Sequence, residues 1–348
     1  MRGLVLALCA AALLCAPASG AQSSEAWAAA AITTVTQDGI FPGTPATFRA
    51  ADPLTGSELT AMLTALGEPS PKVSTASGEP VTIAGLDTAL VDALGLRPLA
   101  TQFAAVARSS GIDPPSRFGT EVVARLLGLR IDLPVVDDSQ EPQPQQPATR
   151  AEAAFSAARV LALGRVAAGK TALGAAEAGS GAQYVSGLAS QFALPPLSPL
   201  QQQIFHTAVS LVGYPYVWGG TNEKLEPGFD CSGFVWRVFK LATYSGAPGL
   251  AATLKGRTAA QMALEVPRSE RIGLGDLEPA DIVFFKPTPG AKASAIDHTA
   301  IYLGNGWIIE SSGQGVSLGR LDWYGKRFAW GRRPLAEIGL EAWPTPAT

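Results

Sequence analysis

The sequence predicts an α+β protein in which a mostly helical N-terminal region precedes a C-terminal domain built on a small sheet. Apolar residues repeat at helical spacing through much of the chain before residue 200. Branched and aromatic runs typical of strands occur after residue 280. Pro-rich stretches at residues 137–147 and 194–200 mark loops or linkers. We therefore predict a signal peptide at 1–21, a helical region at 22–178, a linker at 179–200, the C-terminal domain at 201–335 and a tail at 336–348.

Length and composition limit the class of protein. A chain of 348 residues has room for two domains. Apolar residues make up 47% and charged residues 16%, which favours folded domains over disorder. The net charge is −3 with both signs interspersed, so nothing predicts a nucleic-acid partner or binding to anionic lipid.

The first residues are typical of an export signal. Arg2 precedes an apolar run at residues 4–16, and the small residues Ser19 and Ala21 follow at the spacing that a signal peptidase requires. The run is too short to span a bilayer comfortably, and no other stretch is apolar enough to do so. This pattern favours a cleaved signal over an uncleaved anchor or a lipidated cysteine. We expect an exported protein without a membrane span.

Removal of this signal leaves Cys231 as the lone cysteine, so an internal disulfide is excluded. By count alone Cys231 is either a reactive thiol or a buried structural residue. Its neighbours favour the first, because Asp230 is a suitable N-cap for an apolar helix over residues 231–241. Backbone N–H groups and the helix dipole lower the pKa of a cysteine in a first turn. We therefore predict Cys231 to be a nucleophile.

The chain has two histidines, of which one is a candidate general base. His206 lies in an amphipathic helix and is predicted to be a surface or packing residue. His298 begins a strand-like run that follows a strand at residues 281–285. Glu310 lies on the next predicted strand and could face His298. A nucleophile, a base and a group that orients the base are the requirements of acyl transfer.

The C-terminal domain contains five short motifs, and their order along the chain is informative. They are GYPYVWGG, FDCSGFVWRVF, RTAAQ, DIVFF and HTAIYLGNGWIIESS. In this order they resemble the NlpC family of cell-wall endopeptidases over roughly residues 200–335. The resemblance implies a papain-like fold, in which a helix carrying the cysteine packs on a small antiparallel sheet carrying the histidine.

The resemblance also implies roles for individual residues. Cys231 is the expected nucleophile and His298 the expected base, and the backbone N–H of Cys231 is a candidate oxyanion donor. Tyr216 corresponds to a tyrosine that lines the cleft, and Asp230 with Ser232 to the pair that receives the free amino end of a stem peptide.

Two positions depart from the family pattern. Glu310 stands where the family most often has His, Asn or Gln. A carboxylate there can orient the imidazole and stabilise the imidazolium, over-stabilise that charged pair, or face away from it. Ala280 replaces the usual Gly before Asp281, and we expect little consequence.

Repeated helix starts characterise the N-terminal region. Thr55 with Glu58, and Thr149 with Glu152, have the spacing of a capping box. Helix, Gly-Ile loop and second helix recur between residues 27 and 163, with one copy running through residues 103–130. The pattern resembles S-layer homology repeats, most closely at residues 149–152, and this resemblance implies binding to a cell-wall polymer. Generic helix capping is the alternative.

Taken together, the resemblances imply a secreted or wall-associated cysteine endopeptidase. Its expected partners are peptidoglycan stem peptides, with the bond between the γ-D-glutamyl residue and the diamino acid as the expected target. No metal or other cofactor is expected, because the sequence holds no cluster of Cys and His ligands. The alternatives are an inactive wall-binding module and an amidase or acyltransferase that uses the same dyad.

Overall fold

The structure is a computed structural model that describes residues 26–131, 133–135, 137–164, 180–292 and 294–343. The predicted signal peptide and its two cysteines lie outside these residues. In the part of the chain that is described, no helix is both long and apolar enough to cross a bilayer.

Helices make up the N-terminal region. They are α1 (Ala29–Gln37), α2 (Gly56–Leu66), α3 (Ile83–Ala93), α4 (Arg97–Ser109), α5 (Phe118–Leu126) and α6 (Arg150–Gly164). Two more helices, α7 (Ser180–Gln191) and α8 (Pro199–Ser210), lead into the C-terminal domain. Four short helices lie within that domain: α9 (Cys231–Trp236), which continues as a π-helical turn, α10 (Leu250–Thr253), α11 (Ala259–Leu264) and α12 (Pro334–Glu337).

Both predicted capping boxes are confirmed. Thr55 precedes α2, and its backbone N–H donates to Glu58 Oε2 at 3.0 Å while its hydroxyl accepts from the Glu58 N–H. Thr149 and Glu152 repeat this arrangement at the start of α6. These two bonds satisfy N–H groups that a helix N-terminus otherwise leaves without a partner.

The capped starts meet at one point in the N-terminal region. Leu54 N donates to Ala148 O, Ala148 N to Val81 O and Val81 N to Leu54 O, each at 2.8 Å, which closes a ring of three bonds. Val81 is the third member of this ring, and the helix start to which it belongs, at residues 80–82, was not predicted from the sequence. A Pro, an apolar residue and a Thr precede α2, α3 and α6 alike, and this shared triplet is the signal that would have found it.

The C-terminal domain contains a five-stranded antiparallel sheet of order β4-β3-β2-β1-β5. Its strands are β1 (Ile282–Phe285), β2 (His298–Gly304), β3 (Trp307–Ser312), β4 (Gly315–Arg320) and β5 (Phe328–Arg332). Helix α9 packs against β2 and β3. The predicted α+β class is confirmed. The N-terminal region is helical, and in the C-terminal domain that follows it the helix that carries the cysteine lies on an antiparallel sheet.

The segment predicted as a linker, residues 179–200, contains α7. The helix buries a stripe of apolar residues, Ala182, Val185, Leu188 and Ala189. Gln191, at its end, accepts a 3.2 Å hydrogen bond from Trp307 Nε1 of β3. Burial of this stripe outweighs the weak helix propensity of the glycines in the segment.

Ala280 adopts a left-handed backbone conformation immediately before β1. Its φ is 75°, where a Cβ atom costs about 1 kcal/mol relative to glycine. The substitution noted in the sequence therefore has a local conformational cost, although Ala280 N still donates to Tyr302 O at 2.9 Å.

Candidate active site

Cys231 occupies the first position of α9. Asp230 is the N-cap, and its Oδ1 accepts from the Gly233 N–H at 2.5 Å. Gly233 has to be glycine, because a Cβ atom there would lie 1.8 Å from Gly220 O. This close approach fixes the helix N-terminus against the loop that precedes it. The Cys231 side chain is 7% exposed, and its Sγ lies 3.8 Å from Asp297 O.

His298 lies at the start of β2 and contacts both Cys231 and Glu310. Its Nε2 lies 2.6 Å from Glu310 Oε2 on β3. Burial opposes a charge on the imidazole, but the hydrogen bonds and charges of Cys231 and Glu310 outweigh it and raise the pKa of His298 to about 10. The other histidine, His206, is exposed on α8, as the sequence predicted. The arrangement can therefore hold an imidazolium beside the Cys231 sulfur.

Sequence reasoning missed Tyr324, which lies in the turns between β4 and β5. Its hydroxyl donates to Glu310 Oε2 at 2.6 Å, and its ring stacks on the His298 imidazole at 5.3 Å and 9°. Burial and the adjacent Glu310 carboxylate raise the pKa of Tyr324, so the hydroxyl stays protonated and remains a donor. No local sequence pattern marks this residue, because the turns that follow β4 are what bring it to His298 and Glu310.

The aromatic loop, residues 214–220, lies beside Cys231. Phe229 N donates to Pro215 O, and Val217 N donates to Phe229 O, both at 3.1 Å. Within this loop Tyr216 is half-buried and the Trp218 side chain is 67% exposed. Exposed aromatic surface next to a nucleophile gives a substrate a place to pack.

Asp230 and Ser232 flank the cysteine and are joined by a third residue, Arg257 of the RTAAQ motif. Ser232 Oγ donates to Asp230 Oδ1 at 3.0 Å. The Arg257 guanidinium donates to both oxygens of Asp230, at 3.1 and 2.9 Å, and to Ser232 Oγ at 2.8 Å. Gly219 N adds a further bond to the carboxylate at 3.0 Å. The negative charge of Asp230 is therefore already balanced by an arginine.

Comparison with known proteins identifies two matched regions. Residues 213–330 match the NlpC/P60 family, and residues 21–60 match the S-layer homology domain. Probable endopeptidase YafL of Escherichia coli (strain K12) is 32% identical over 145 residues, which cover 40% of this chain and 53% of that protein. Gamma-D-glutamyl-L-lysine dipeptidyl-peptidase of Bacillus subtilis (strain 168) is 32% identical over 117 residues, covering 34% of each chain.

A third relative bears a different activity in its name. Murein DD-endopeptidase MepH of Escherichia coli (strain K12) is 34% identical over 133 residues, covering 36% of this chain and 42% of that protein. Among solved structures, an NlpC/P60 family protein from Bacillus cereus ATCC 10987 is 25% identical, with a TM-score of 0.32, over 42% of this chain and 43% of that one. The chain spans about half or less of the length of these curated relatives. These matches confirm both resemblances predicted from the sequence, to the NlpC family at residues 213–330 and to the S-layer homology domain at residues 21–60.

Proposed function

We propose that the chain is a cysteine peptidase that hydrolyses an amide bond in peptidoglycan stem peptides. The observation that carries this proposal is the series of contacts from Cys231 through His298 to Glu310, with 2.6 Å between His298 Nε2 and Glu310 Oε2. Relatives of this domain bear the names of peptidoglycan endopeptidases, which supports the substrate class.

The proposed reaction begins with a thiolate and an imidazolium. The Cys231 thiolate attacks the carbonyl carbon of the scissile amide, and the C=O electron pair moves to oxygen. The N–H of Cys231 has no acceptor within its own helix, because it is at the first helical position, and it donates to this oxyanion. His298 then gives its proton to the leaving amine. Water then gives a proton to the same imidazole and attacks the acyl carbon. The C–S bond breaks, the carboxyl product leaves, and the Cys231 thiolate and the His298 imidazolium are restored.

The bond between the γ-D-glutamyl residue and the diamino acid is the proposed target. Tyr216, Asp230 and Ser232 would receive the free amino end of the stem peptide. In this chain the ammonium group would share the Asp230 carboxylate with Arg257, which already occupies both of its oxygens. A shared carboxylate still attracts a cation, but less strongly than an unpaired one.

The N-terminal region is proposed to bind a cell-wall polymer. The S-layer homology match at residues 21–60 supports this role. We further propose that the protein is exported through the segment at residues 1–21 and acts outside the cell membrane.

Cleavage of purified peptidoglycan fragments, followed by mass spectrometry, tests this proposal. Wild type should release new fragments, while Cys231→Ala and His298→Ala should release none and remain folded. His206→Ala is the matched control, because it removes the exposed histidine of α8, and it should cleave like wild type. Turnover by Cys231→Ala would overturn the mechanism. An inactive wild type whose Cys231 alkylates rapidly would instead favour another amide substrate.

A further inference from the structure

We propose that Arg327 is a specificity-determining residue whose guanidinium binds a carboxylate on the leaving half of the stem peptide, the half that begins at the diamino acid. This inference rests on the proposed function, because it concerns the same nucleophile and the same class of substrate. It assigns a residue to the diamino acid side of the scissile bond.

The order of the sheet places two flanks on either side of the nucleophile and the base. On one flank the aromatic loop pairs with β4, where Val316 N donates to Tyr214 O at 2.8 Å. On the other flank Arg327 lies between the end of β1 and the start of β5. His298 begins β2, which lies between β3 and β1 in the sheet. A stem peptide with its amino end at Asp230 therefore directs its leaving half toward Arg327.

Asp297 connects Arg327 to the nucleophile. Its backbone O lies 3.8 Å from Cys231 Sγ, and its Oδ1 lies 3.6 Å from Arg327 Nη2. Arg327 Cζ and the centre of the His298 ring both lie 5.3 Å from the centre of the Tyr324 ring. One residue therefore separates the guanidinium from the sulfur, which places it within reach of a group that the diamino acid carries.

The guanidinium of Arg327 is fixed in place and still has donors to offer. Arg327 Nε donates to Lys286 O at 2.7 Å, and Lys286 N donates to Arg327 O at 2.8 Å. Within the described part of the chain, its two terminal nitrogens make no hydrogen bond, because 3.6 Å to Asp297 is too long for one. The side chain is 35% exposed, so a ligand can approach it. A guanidinium held in this way is suited to a carboxylate, which it can bind through two parallel hydrogen bonds.

Arg257, on the opposite flank, has a different role. Its terminal nitrogens donate to Asp230, to Ser232 Oγ and to two carbonyl groups of the aromatic loop. That guanidinium holds protein groups together. Arg327 instead faces the partly exposed carboxylate of Asp297, in a pair that water weakens. A carboxylate of the substrate can therefore compete for Arg327.

The leaving half offers two carboxylates of this chemistry. One is on the side chain of meso-diaminopimelate and is absent from lysine, and the other is at the C-terminal end of the stem peptide. Replacing each by a carboxamide removes its charge and keeps its size, so the two sources can be separated.

The test compares wild type with Arg327→Met on three stem peptides. The parent peptide contains meso-diaminopimelate, and each of two analogues has one of these carboxylates replaced by a carboxamide. For wild type, one of the two replacements should lower kcat/KM about 10-fold, which identifies the carboxylate that is bound. Arg327→Met should lower kcat/KM for the parent peptide to the same extent and should have no further effect on that analogue.

Three further variants make the test specific. Asp297→Asn removes the competing charge and should raise the preference for the parent peptide about threefold, a gain that damage to the fold cannot cause. Arg320→Met removes an arginine at the end of β4 that pairs with Asp322 at 3.0 Å, and it should leave the preference unchanged. Arg327→Lys keeps a positive charge without the planar fork and should retain part of the preference, so it serves if the methionine variant does not fold.

Equal losses on all three peptides in Arg327→Met would overturn the inference and leave the proposed function standing, because Arg327 would then only support its turn. A wild type that cleaves all three peptides equally well would overturn it as well.

Protection of Cys231 from iodoacetamide by each peptide gives a second readout that needs no turnover. If wild type cleaves no stem peptide, the inference still stands when the parent peptide protects the thiol, one carboxamide does not, and Arg327→Met abolishes the difference. Peptides that are neither cleaved nor protective would overturn the inference together with the proposed function.

Discussion

Two buried clusters of charged or ionisable groups in this molecule differ in how their members are paired. The catalytic cluster, named for its proposed role, consists of Cys231, His298, Glu310 and Tyr324. The seam cluster consists of Asp87, Glu121, Arg125 and Arg130, and it joins the N-terminal region to the C-terminal domain. In the catalytic cluster two donors meet one carboxylate oxygen at 2.6 Å. Among the described residues of the seam cluster, both oxygens of Asp87 and one of Glu121 accept no hydrogen bond.

The seam cluster is held together by charge rather than by complete hydrogen bonding. Arg125 pairs with Glu121 and also donates to Gly213 O, where the chain enters the aromatic loop. Arg130 Nε lies 3.2 Å from Asp87 Oδ1. The comparison teaches that hydrogen bonds fix the carboxylate of the catalytic cluster, whereas paired charges in the seam cluster attach one region to the other.

Removing Arg125 should have the largest effect on folding. Arg125→Met leaves the buried Glu121 carboxylate without its ion-pair partner and Asp87 with Arg130 alone, which should lower the free energy of unfolding by about 3–5 kcal/mol. Denaturant unfolding at pH 8 measures this change. The matched control is Arg237→Met, which breaks a partly exposed pair with Glu223 at 2.7 Å and should cost no more than about 1 kcal/mol. Equal losses in the two variants would contradict the distinction between the seam cluster and an ordinary ion pair.

The seam cluster should also make stability depend on pH. Burial raises the pKa of Glu121 to about 7, against the opposing charge of Arg125. Since its unfolded pKa is near 4.5, the stabilising contribution is complete below that pH and is lost as the pH rises through 7. The loss amounts to roughly 3 kcal/mol at most.

Unfolding of wild type and Glu121→Gln between pH 4 and pH 8 measures this contribution. Burial also raises the pKa of Asp281 to about 6 and of Glu341 to about 7, so these groups change stability in the same direction. The difference between the two proteins therefore reports Glu121 alone. Identical slopes would show that Glu121 does not titrate in this range.

Local sequence patterns were enough to predict the parts of the site that depend on short stretches of chain. The N-cap before Cys231 and the adjacent strands of His298 and Glu310 are encoded within a few residues, and β2 and β3 are consecutive antiparallel neighbours. Tyr324 was not predictable in this way, because its position depends on the turns that lead from β4 across the sheet to β5. The pairing of Arg257 with Asp230 likewise joins residues 27 positions apart.

The same limit applies to the N-terminal region. The capping boxes were predicted from four-residue patterns, whereas the ring that joins Leu54, Val81 and Ala148 depends on packing among three distant segments. Helix α7 was predicted as part of a linker because its glycines weaken the helical signal, and its stability comes from burial against other elements.

The smallest predicted effect concerns a single hydrogen bond between the two regions. Asp138, from the Pro-rich stretch at residues 137–147, is 5% exposed and accepts a 2.6 Å hydrogen bond from Trp218 N. Nearby, Gln143 Nε2 donates to Glu223 O at 2.8 Å. The stretch predicted as a loop therefore holds the aromatic loop beside Cys231 in place.

Asp138→Ala should raise KM for stem-peptide fragments about threefold and leave kcat nearly unchanged, because one hydrogen bond to the loop contributes about 1 kcal/mol. Asp138→Asn keeps an acceptor oxygen and should behave like wild type, which makes it the matched control. A fall in kcat with constant KM would instead mean that this stretch acts on the nucleophile or the base. The expected result is an effect on substrate binding alone. It would show that Asp138 positions the aromatic loop, whereas the buried charges of the seam cluster hold the two regions together.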